Sequence, residues 1–300
     1  MKSSFVISTV FLISFSLKMK AEEVNLALVA KPTASYVSGD TTVFALNDGF
    51  EPSSSRDRSH RSYGNWPRRG LQWVQYEWSK PICANKIAVY WWDDRRGVRL
   101  PKACRLLYWD GTSFKPVKNA KGLGVEGNRY NITTFDKICT RKFRLEIISQ
   151  DKFSTGILEW KVFDAGGSPD LPPVVEAGPD RVTILNGRTF LSGSVKSLRP
   201  KETELRWAKR SGPGEVKFQD ASSASTTASF SKIGIYTLEL KAKVGSAESS
   251  DTLKVKVFPD PERPPLRFVP TLSYSVENPL WKDRIKALIV NWIPHCIEKI

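Results

Sequence analysis

Histidine is almost absent from the chain: two residues, His60 and His295, in 300. His60 sits in a polar loop, where a solvated ring is the plain expectation. The four cysteines, Cys83, Cys104, Cys139 and Cys296, form no CxxC pair and no Cys/His spacing of a zinc site. His295 and Cys296 are neighbours in sequence, but neighbours on a helix point about 100° apart, which argues against a nucleophile pair. Cys296 is expected to be a buried helix residue. There is no nucleophile elbow, no zinc-protease helix and no phosphate-binding glycine loop, so no residue is assigned a catalytic role. Long apolar runs are also missing. The run from Phe5 to Leu17 falls short of the ~20 residues of a membrane span. Flanked by Lys2 and by Lys18-Met19-Lys20-Ala21, it reads as a secretory signal peptide cut near Ala21. Acidic residues are outnumbered, 31 against 46 lysines and arginines, for a net charge of +15. That excess suits an anionic polysaccharide, a nucleic acid or a negative membrane surface, against the plain alternative of solvated lysines. In an oxidising compartment two of Cys83, Cys104 and Cys139 have the chance to pair, without the sequence saying which.

What is present is strand pattern. From Ile87 to Trp92 side chains alternate, with Ile87, Val89 and Trp91 on one face and Ala88, Tyr90 and Trp92 on the other. One of the two adjacent tryptophans therefore belongs in a core. Asp93, Asp94, Arg95 and Arg96 form a charged loop closed by Gly97, and a second alternating run, Cys104 to Trp109, leads to Asp110-Gly111. That dipeptide predicts a two-residue hairpin turn, whose central positions need positive φ. Trp73 to Trp78 and Phe143 to Ile147 alternate as half-buried antiparallel strands do, and Leu158, Trp160 and Val162 are expected on one face of a closing strand. Between Phe50 and Arg69 lies a long loop rich in Ser, Arg, Gly and Pro, and a loop of that length is usually functional or disordered.

Six fragments in order carry a family resemblance: Asn25-Leu26-Ala27-Leu28, Asn47-Asp48-Gly49, Trp73-Val74-Gln75-Tyr76, Val89-Tyr90-Trp91-Trp92, Tyr108-Trp109-Asp110-Gly111 and Gly156-Ile157-Leu158-Glu159-Trp160. Together they resemble discoidin modules, the coagulation-factor C-type, galactose-binding-like domains. The resemblance implies an eight-stranded jelly roll that binds glycans or lipid head groups. It also implies a structural calcium ion, with Asp48 and Glu159 at the family's motif positions and the Ala45 carbonyl as a further ligand. Calcium prefers several oxygen ligands. The loop after Gly49 departs from the usual acidic spacing, leaving Glu51 or Ser53 as substitutes. The plain alternative is that Asp48 shapes a turn and Glu159 pairs with a basic residue. Ligand binding in such a module combines an aromatic platform with polar loop residues. Here the candidates are Trp66, Trp92, Asp94, Arg95, Arg96 and Arg99, with Arg56, Arg58, Arg61, Arg68 and Arg69 on the neighbouring loop. Arginine gives bidentate bonds to carboxylate or sulfate. Core packing for the tryptophans and a solvated rim for the arginines are the competing readings.

Asp164 to Pro173 is punctuated by Gly and Pro and crossed by no apolar run. Beyond it Tyr236, Leu238, Leu240 and Ala242 alternate with Thr237, Glu239, Lys241 and Lys243, and Leu253, Val255 and Val257 with Lys254 and Lys256. Short strands at this spacing predict a sandwich. Ala177-Gly178-Pro179-Asp180, Trp207, Ser211-Gly212-Pro213-Gly214, Gly234-Ile235-Tyr236 and Asp251-Thr252-Leu253 resemble a PKD-type immunoglobulin-like module. Asn278-Pro279 opens a helical stretch with Ile285, Leu288, Ile289 and Trp292 on one face, and Pro294 is expected to end or kink it. Leu280 to Trp292 resembles the opening helix of β-L-arabinofuranosidase glycoside hydrolases, and a further domain is expected after it.

The expectation is an all-β protein: signal peptide 1–21, jelly roll 22–165, linker 166–173, immunoglobulin-like sandwich 174–259, linker 260–277 and a helical start at 278–300. The functional expectation is a secreted, non-catalytic, glycan-binding region, with acidic polysaccharide as the favoured partner, a structural calcium ion and the second sandwich as spacer. Any hydrolase chemistry would lie beyond Ile300. The rival is a surface adhesion protein using both sandwiches for protein contacts. Nucleic acid is suggested by charge alone and disfavoured by the signal peptide.

Overall fold

The computed structural model describes residues 23–261, 275 and 277–299. The signal-peptide reading falls outside these residues, as does most of 260–277. The protein is all-β, a jelly-roll sandwich followed by an immunoglobulin-like sandwich, with a short helical segment after them. Residues 23–258 form one compact unit with two main apolar cores, and the helical segment forms another.

The first sandwich uses strands β1 (Lys31–Ala34), β2 (Tyr63–Gly64), β3 (Leu71–Trp92), β4 (Ala103–Trp109), β5 (Phe114–Pro116), β6 (Tyr130–Ile148) and β7 (Gly156–Asp164). Two long strands make both layers. The first half of β3, near Val74–Glu77, pairs with β1 and with the end of β6, which continues to β4 and β5. The second half, Ala84–Trp92, pairs with the start of β6 and with β7, and β7 continues to β2. The ladder is interrupted between Glu77 and Ile82, where Pro81 cannot donate a ladder hydrogen bond. Alternation then sends Val74, Tyr76 and Trp78 from one layer, and Ile87, Val89 and Trp91 from the other, into one core with Phe143, Leu145, Trp160 and Val162. Trp91 is the core member of its pair, donating its indole N–H to the Gly124 carbonyl at 3.0 Å. On the outer face of the first layer Arg144 lies between the rings of Trp73 and Phe114, 4.3 and 3.8 Å from their centroids, and donates to Gln75 Oε1.

Three local expectations are corrected. The β4–β5 connection is not a two-residue turn: Trp109 pairs with Phe114, leaving four residues, and only Gly111 has positive φ. Asp110 Oδ1 accepts the Thr112 and Ser113 N–H groups, so its carboxylate organises a wider loop. Leu158 does not share a face with Trp160 and Val162. The β3–β7 register slips between Tyr90 (opposite Glu159) and Trp91 (opposite Ile157), and the extra residue of this bulge turns Leu158 outward. Cys296 is exposed, not buried, because the helical segment contains no buried residue. Cys83 and Cys139 stand opposite each other on β3 and β6 and form the disulfide, leaving Cys104 as a thiol pushed up to about 11 by burial.

The junction 166–173 is held at several points. Ser168 Oγ accepts the Cys83 N–H and donates to Asp164 Oδ1, Leu171 is buried in the first core, and Asp170 pairs with Arg199 at 2.6 Å. The second sandwich comprises β8 (Val174–Glu176), β9 (Arg181–Ile184), β10 (Thr189–Ser192), β11 (Ser194–Lys196), β12 (Glu204–Ser211), β13 (Val216–Phe218), β14 (Ser225–Phe230), β15 (Gly234–Val244) and β16 (Ala247–Phe258). Its sheets run β12-β15-β16-β9 and β10-β14-β13, with β11 beside β8. The predicted inward set, Tyr236, Leu238, Leu240, Leu253, Val255 and Val257, packs around Trp207. Tyr236 crosses this core and donates its hydroxyl to the Lys232 carbonyl at 2.8 Å. Removing that one bond in Tyr236→Phe is expected to lower stability by about 1 kcal/mol, measured by chemical denaturation, with no effect on ligand binding.

In the helical segment, Asn278 caps α1 (Pro279–Ala287) by accepting the Leu280 N–H. Residues Leu288–Trp292 widen into a π turn before α2 (Ile293–Glu298). Pro294 has no N–H for the Val290 carbonyl, and Ile293 N–H instead reaches back five residues to Leu288. Proline here loosens the helix rather than ending it. No helix among the described residues is long and apolar enough to cross a membrane.

Candidate functional site

Two loops meet at one end of the jelly roll. The long loop 51–62 is pinned by Asp57, whose carboxylate accepts the N–H and hydroxyl of Ser53 and of Ser59 at 2.6–2.9 Å. These bonds, the Ser59 hydroxyl foremost, hold Asp57 well below the usual carboxylate range. The charged loop after β3 is shaped by its acids: Asp93 Oδ1 accepts the Arg95 N–H, and Asp94 Oδ1 accepts those of Arg96 and Val98. Ser55 joins the two, its carbonyl accepting the Asp93 N–H at 2.8 Å. Between them opens a cleft of about 920 Å³, lined by Trp92, Asp94 and Arg96, by Arg58, His60 and Arg61, and by the turn at Asp40–Thr42.

The cleft gathers only part of the expected ligand set. Trp92, Asp94 and Arg96 line it, together with Arg58 and Arg61. Trp92 is no free-standing plate. It is 8% exposed and packs with Tyr90, Val98 and Leu158 on the outer face of the second layer. Its ring is approached so closely that a Cβ at Gly156 would fall 2.6 Å from it. Trp66 is 57% exposed but lies outside the cleft lining, against Gly97. Arg95 is exposed, with a left-handed backbone (φ 57°), and also lies outside. Arg99 turns back to Asp93, 3.7 Å away, and over the Phe153 ring. Arg68 covers Tyr36. Sequence reading missed Asp40, Thr41, Thr42, Asp57 and His60. The Ser-Arg-Asp-Arg-Ser spacing around Asp57 was the available signal, since serine and aspartate compete for local backbone donors.

Beside the cleft lies a carboxylate pair. Glu159 sits at the β7 bulge, fully buried, and neither carboxylate oxygen has a hydrogen-bond partner. Burial, and then the neighbouring Asp48, push its carboxyl up to about 9. Asp48 shapes a turn by accepting the Phe50 N–H at 3.0 Å, while its other oxygen lies 2.9 Å from His60 Nε2. Glu51 is occupied elsewhere, accepting the Tyr130 hydroxyl at 2.8 Å and pairing with Lys161. Ser53 is engaged with Asp57, and Ala45 is buried in the 3-10 turn Val43–Leu46. An unpartnered buried carboxylate is unusual, and carboxylate oxygens are donors of the kind calcium takes. Among the described residues no three His, Cys, Asp or Glu side chains form a metal-binding group, so carbonyls such as that of Ala45 would have to complete the shell.

A second cleft, of about 520 Å³, lies between the two sandwiches, with Phe44, Trp78 and Arg141 on one side and Pro173 and Lys196 on the other.

No protein-family model matches the chain. Among solved structures, a chain of the Streptococcus pneumoniae β-galactosidase BgaA is 20% identical, covering 45% of this chain and 91% of that one with a TM-score of 0.41. The family 32 carbohydrate-binding module of C. perfringens NanJ, solved in complex with galactose, is 15% identical, covering 47% and 98% with a TM-score of 0.39. The PKD domain of the KIAA 1837 protein is 28% identical over 33% of this chain and 96% of its own, with a TM-score of 0.25.

Proposed function

We propose that the first sandwich is a glycan-binding module that takes acidic sugars in the cleft between loops 51–62 and 93–97. The carrying observation is the convergence of Arg58, Arg61 and Arg96 on one cleft with Trp92. The guanidinium groups bind carboxylate or sulfate, and Asp40, Asp94 and the Thr41 and Thr42 hydroxyls supply acceptors and donors for sugar hydroxyls. Asp48 and Glu159, with carbonyl help, would hold a calcium ion, which would supply positive charge at the buried carboxyl in place of its proton. In this reading the chain is exported, and the second sandwich is a spacer between the module and the C-terminal segment. The residues from 278 onward open a glycoside-hydrolase-type domain.

A glycan array probed at low and high salt tests the binding. Exposed charges are screened within about 8 Å at physiological ionic strength, so retention of uronic-acid or sulfated glycans should fall several-fold as salt rises. Binding of neutral galactosides only, unaffected by salt, rejects the acidic preference. Absence of binding to any glycan rejects the module.

A further inference from the structure

We propose that the groove between the two sandwiches is a second binding site, separate from the loop cleft, and that it takes a small aromatic carboxylate. The inference does not rest on the glycan reading of the cleft.

Small-molecule sites favour domain interfaces and combine apolar walls with a few placed polar groups. The groove, of about 520 Å³, has both. Trp78 lines it with its indole N–H tied to the Leu26 carbonyl at 2.8 Å, and Pro32, Pro172 and Pro173 add rings that carry no N–H. Phe44, also in the lining, is 57% exposed. The charges in the lining are unequally matched. Arg141 of the first sandwich donates to the Ser79 carbonyl at 2.7 Å, and Lys196 of the second donates to the Asn47 carbonyl at 3.2 Å, both carbonyls belonging to lining residues. Neutral acceptors thus hold two cations at the groove, and among the described residues neither forms an ion pair. Of the two acids in the lining, Glu77 is already paired with Lys142 at 3.2 Å, and Glu176 accepts the Ser194 hydroxyl at 3.3 Å. Guanidinium and ammonium groups keep further N–H donors after one carbonyl bond, and a carboxylate takes them from both sandwiches at once. The apolar walls suit a flat ring and leave the hydroxyls of a sugar without partners, an uncompensated desolvation. The two walls are also preassembled, because Leu171 and Leu198 pack into the first core and Asp170 pairs with Arg199, so binding does not have to bring them together.

The test is a titration of the full chain with naphthoate, followed by tryptophan indole NMR. The Trp78 signal, assigned with Trp78→Phe, should shift saturably while that of Trp92 in the cleft stays fixed. Naphthol, which has the same rings and no carboxylate, should bind about tenfold more weakly, the effect of one lost hydrogen bond to a charged group. Arg141→Gln and Lys196→Met should each weaken naphthoate by about the same factor and leave naphthol unchanged. A Trp78 signal that does not move overturns the site, as do shifts confined to Trp281 and Trp292, whose exposed rings would then hold the probe. Equal affinity of the wild type for naphthol and naphthoate, or naphthoate binding unaltered in both variants, overturns the recognition of charge and the proposal with it. A chain that binds no glycan leaves a positive result here standing.

Discussion

Replacing Glu159 with glutamine is expected to stabilise the metal-free protein by roughly 3 kcal/mol at pH 7 and to abolish its response to calcium. In the unfolded chain this carboxyl titrates at its ordinary value of 4.5; in the fold, burial and then Asp48 raise it to about 9. Between those values the folded state keeps a proton that the unfolded state has released. The unfolded state is therefore favoured progressively as pH rises from about 4.5 towards 9. Each unit corresponds to about 1.4 kcal/mol, which gives roughly 3 kcal/mol at pH 7. Glutamine is neutral throughout and carries no such dependence. Under the proposed calcium site the ion would act in the opposite sense, binding the ionised carboxylate of the folded state and adding about 2.7 kcal/mol at a hundredfold excess over its dissociation constant. Denaturation in chelator should show the wild type weaker at pH 8 than at pH 6 and Glu159→Gln nearly level. Calcium should then restore the wild type alone. Equal wild-type stability at both pH values, or a calcium response that survives in Glu159→Gln, would refute this account of the pair.

The second large effect concerns the cleft. Arg58→Ala combined with Arg96→Ala should weaken binding of an acidic oligosaccharide about a hundredfold, because hydrogen bonds to charged groups contribute about 1.5–3 kcal/mol each and 1.4 kcal/mol is a factor of ten in affinity. Lys254→Ala with Lys256→Ala removes the same formal charge from exposed positions on the second sandwich and should change affinity by less than about twofold. That contrast separates local recognition from net charge. Equal losses in the two double variants, read by calorimetry at one ionic strength, would mean that the +15 charge acts as an undirected field. Arg95 and Arg99, grouped with Arg96 by sequence, should matter less. One lies outside the cleft and the other is engaged with Asp93 and Phe153.

The strands were legible because a half-buried strand announces itself with period two. Val74, Tyr76 and Trp78, and later Tyr236, Leu238 and Leu240, sort to one face on sequence alternation alone, and all are buried. What escaped depends on where that period breaks. The β7 bulge adds one residue, and that single slip sends Leu158 outward and leaves Glu159 buried without a partner. The Cys83–Cys139 pairing follows from the β3–β6 register between two irregularities, Glu77/Ile82 and Ala84/Lys86, which composition does not reveal. The site itself is a tertiary product. Arg58 and Arg96 are brought together by the Ser55 carbonyl and by turns formed at Asp57, Asp93 and Asp94. Counting arginines showed the charge but could not rank the residues that carry it. Trp66 and Trp92 reverse the simple expectation, since the exposed ring lies outside the cleft and the ring within it is mostly buried.

The most direct measurement is an NMR titration of the full chain with an acidic oligosaccharide, following tryptophan indole and arginine side-chain signals together. Aromatic and basic groups also meet away from the cleft at Trp92, among other places on the Trp73–Arg144–Phe114 face of the opposite layer and in the groove between the sandwiches at Trp78 and Lys196. The expected result is saturable shifts at Trp92, Arg58, Arg61 and Arg96, with Trp73, Trp78 and Arg144 unchanged. Shifts confined to Trp73 and Arg144, or to Trp78, with the Trp92 and Arg96 signals fixed, would contradict the placement of the site.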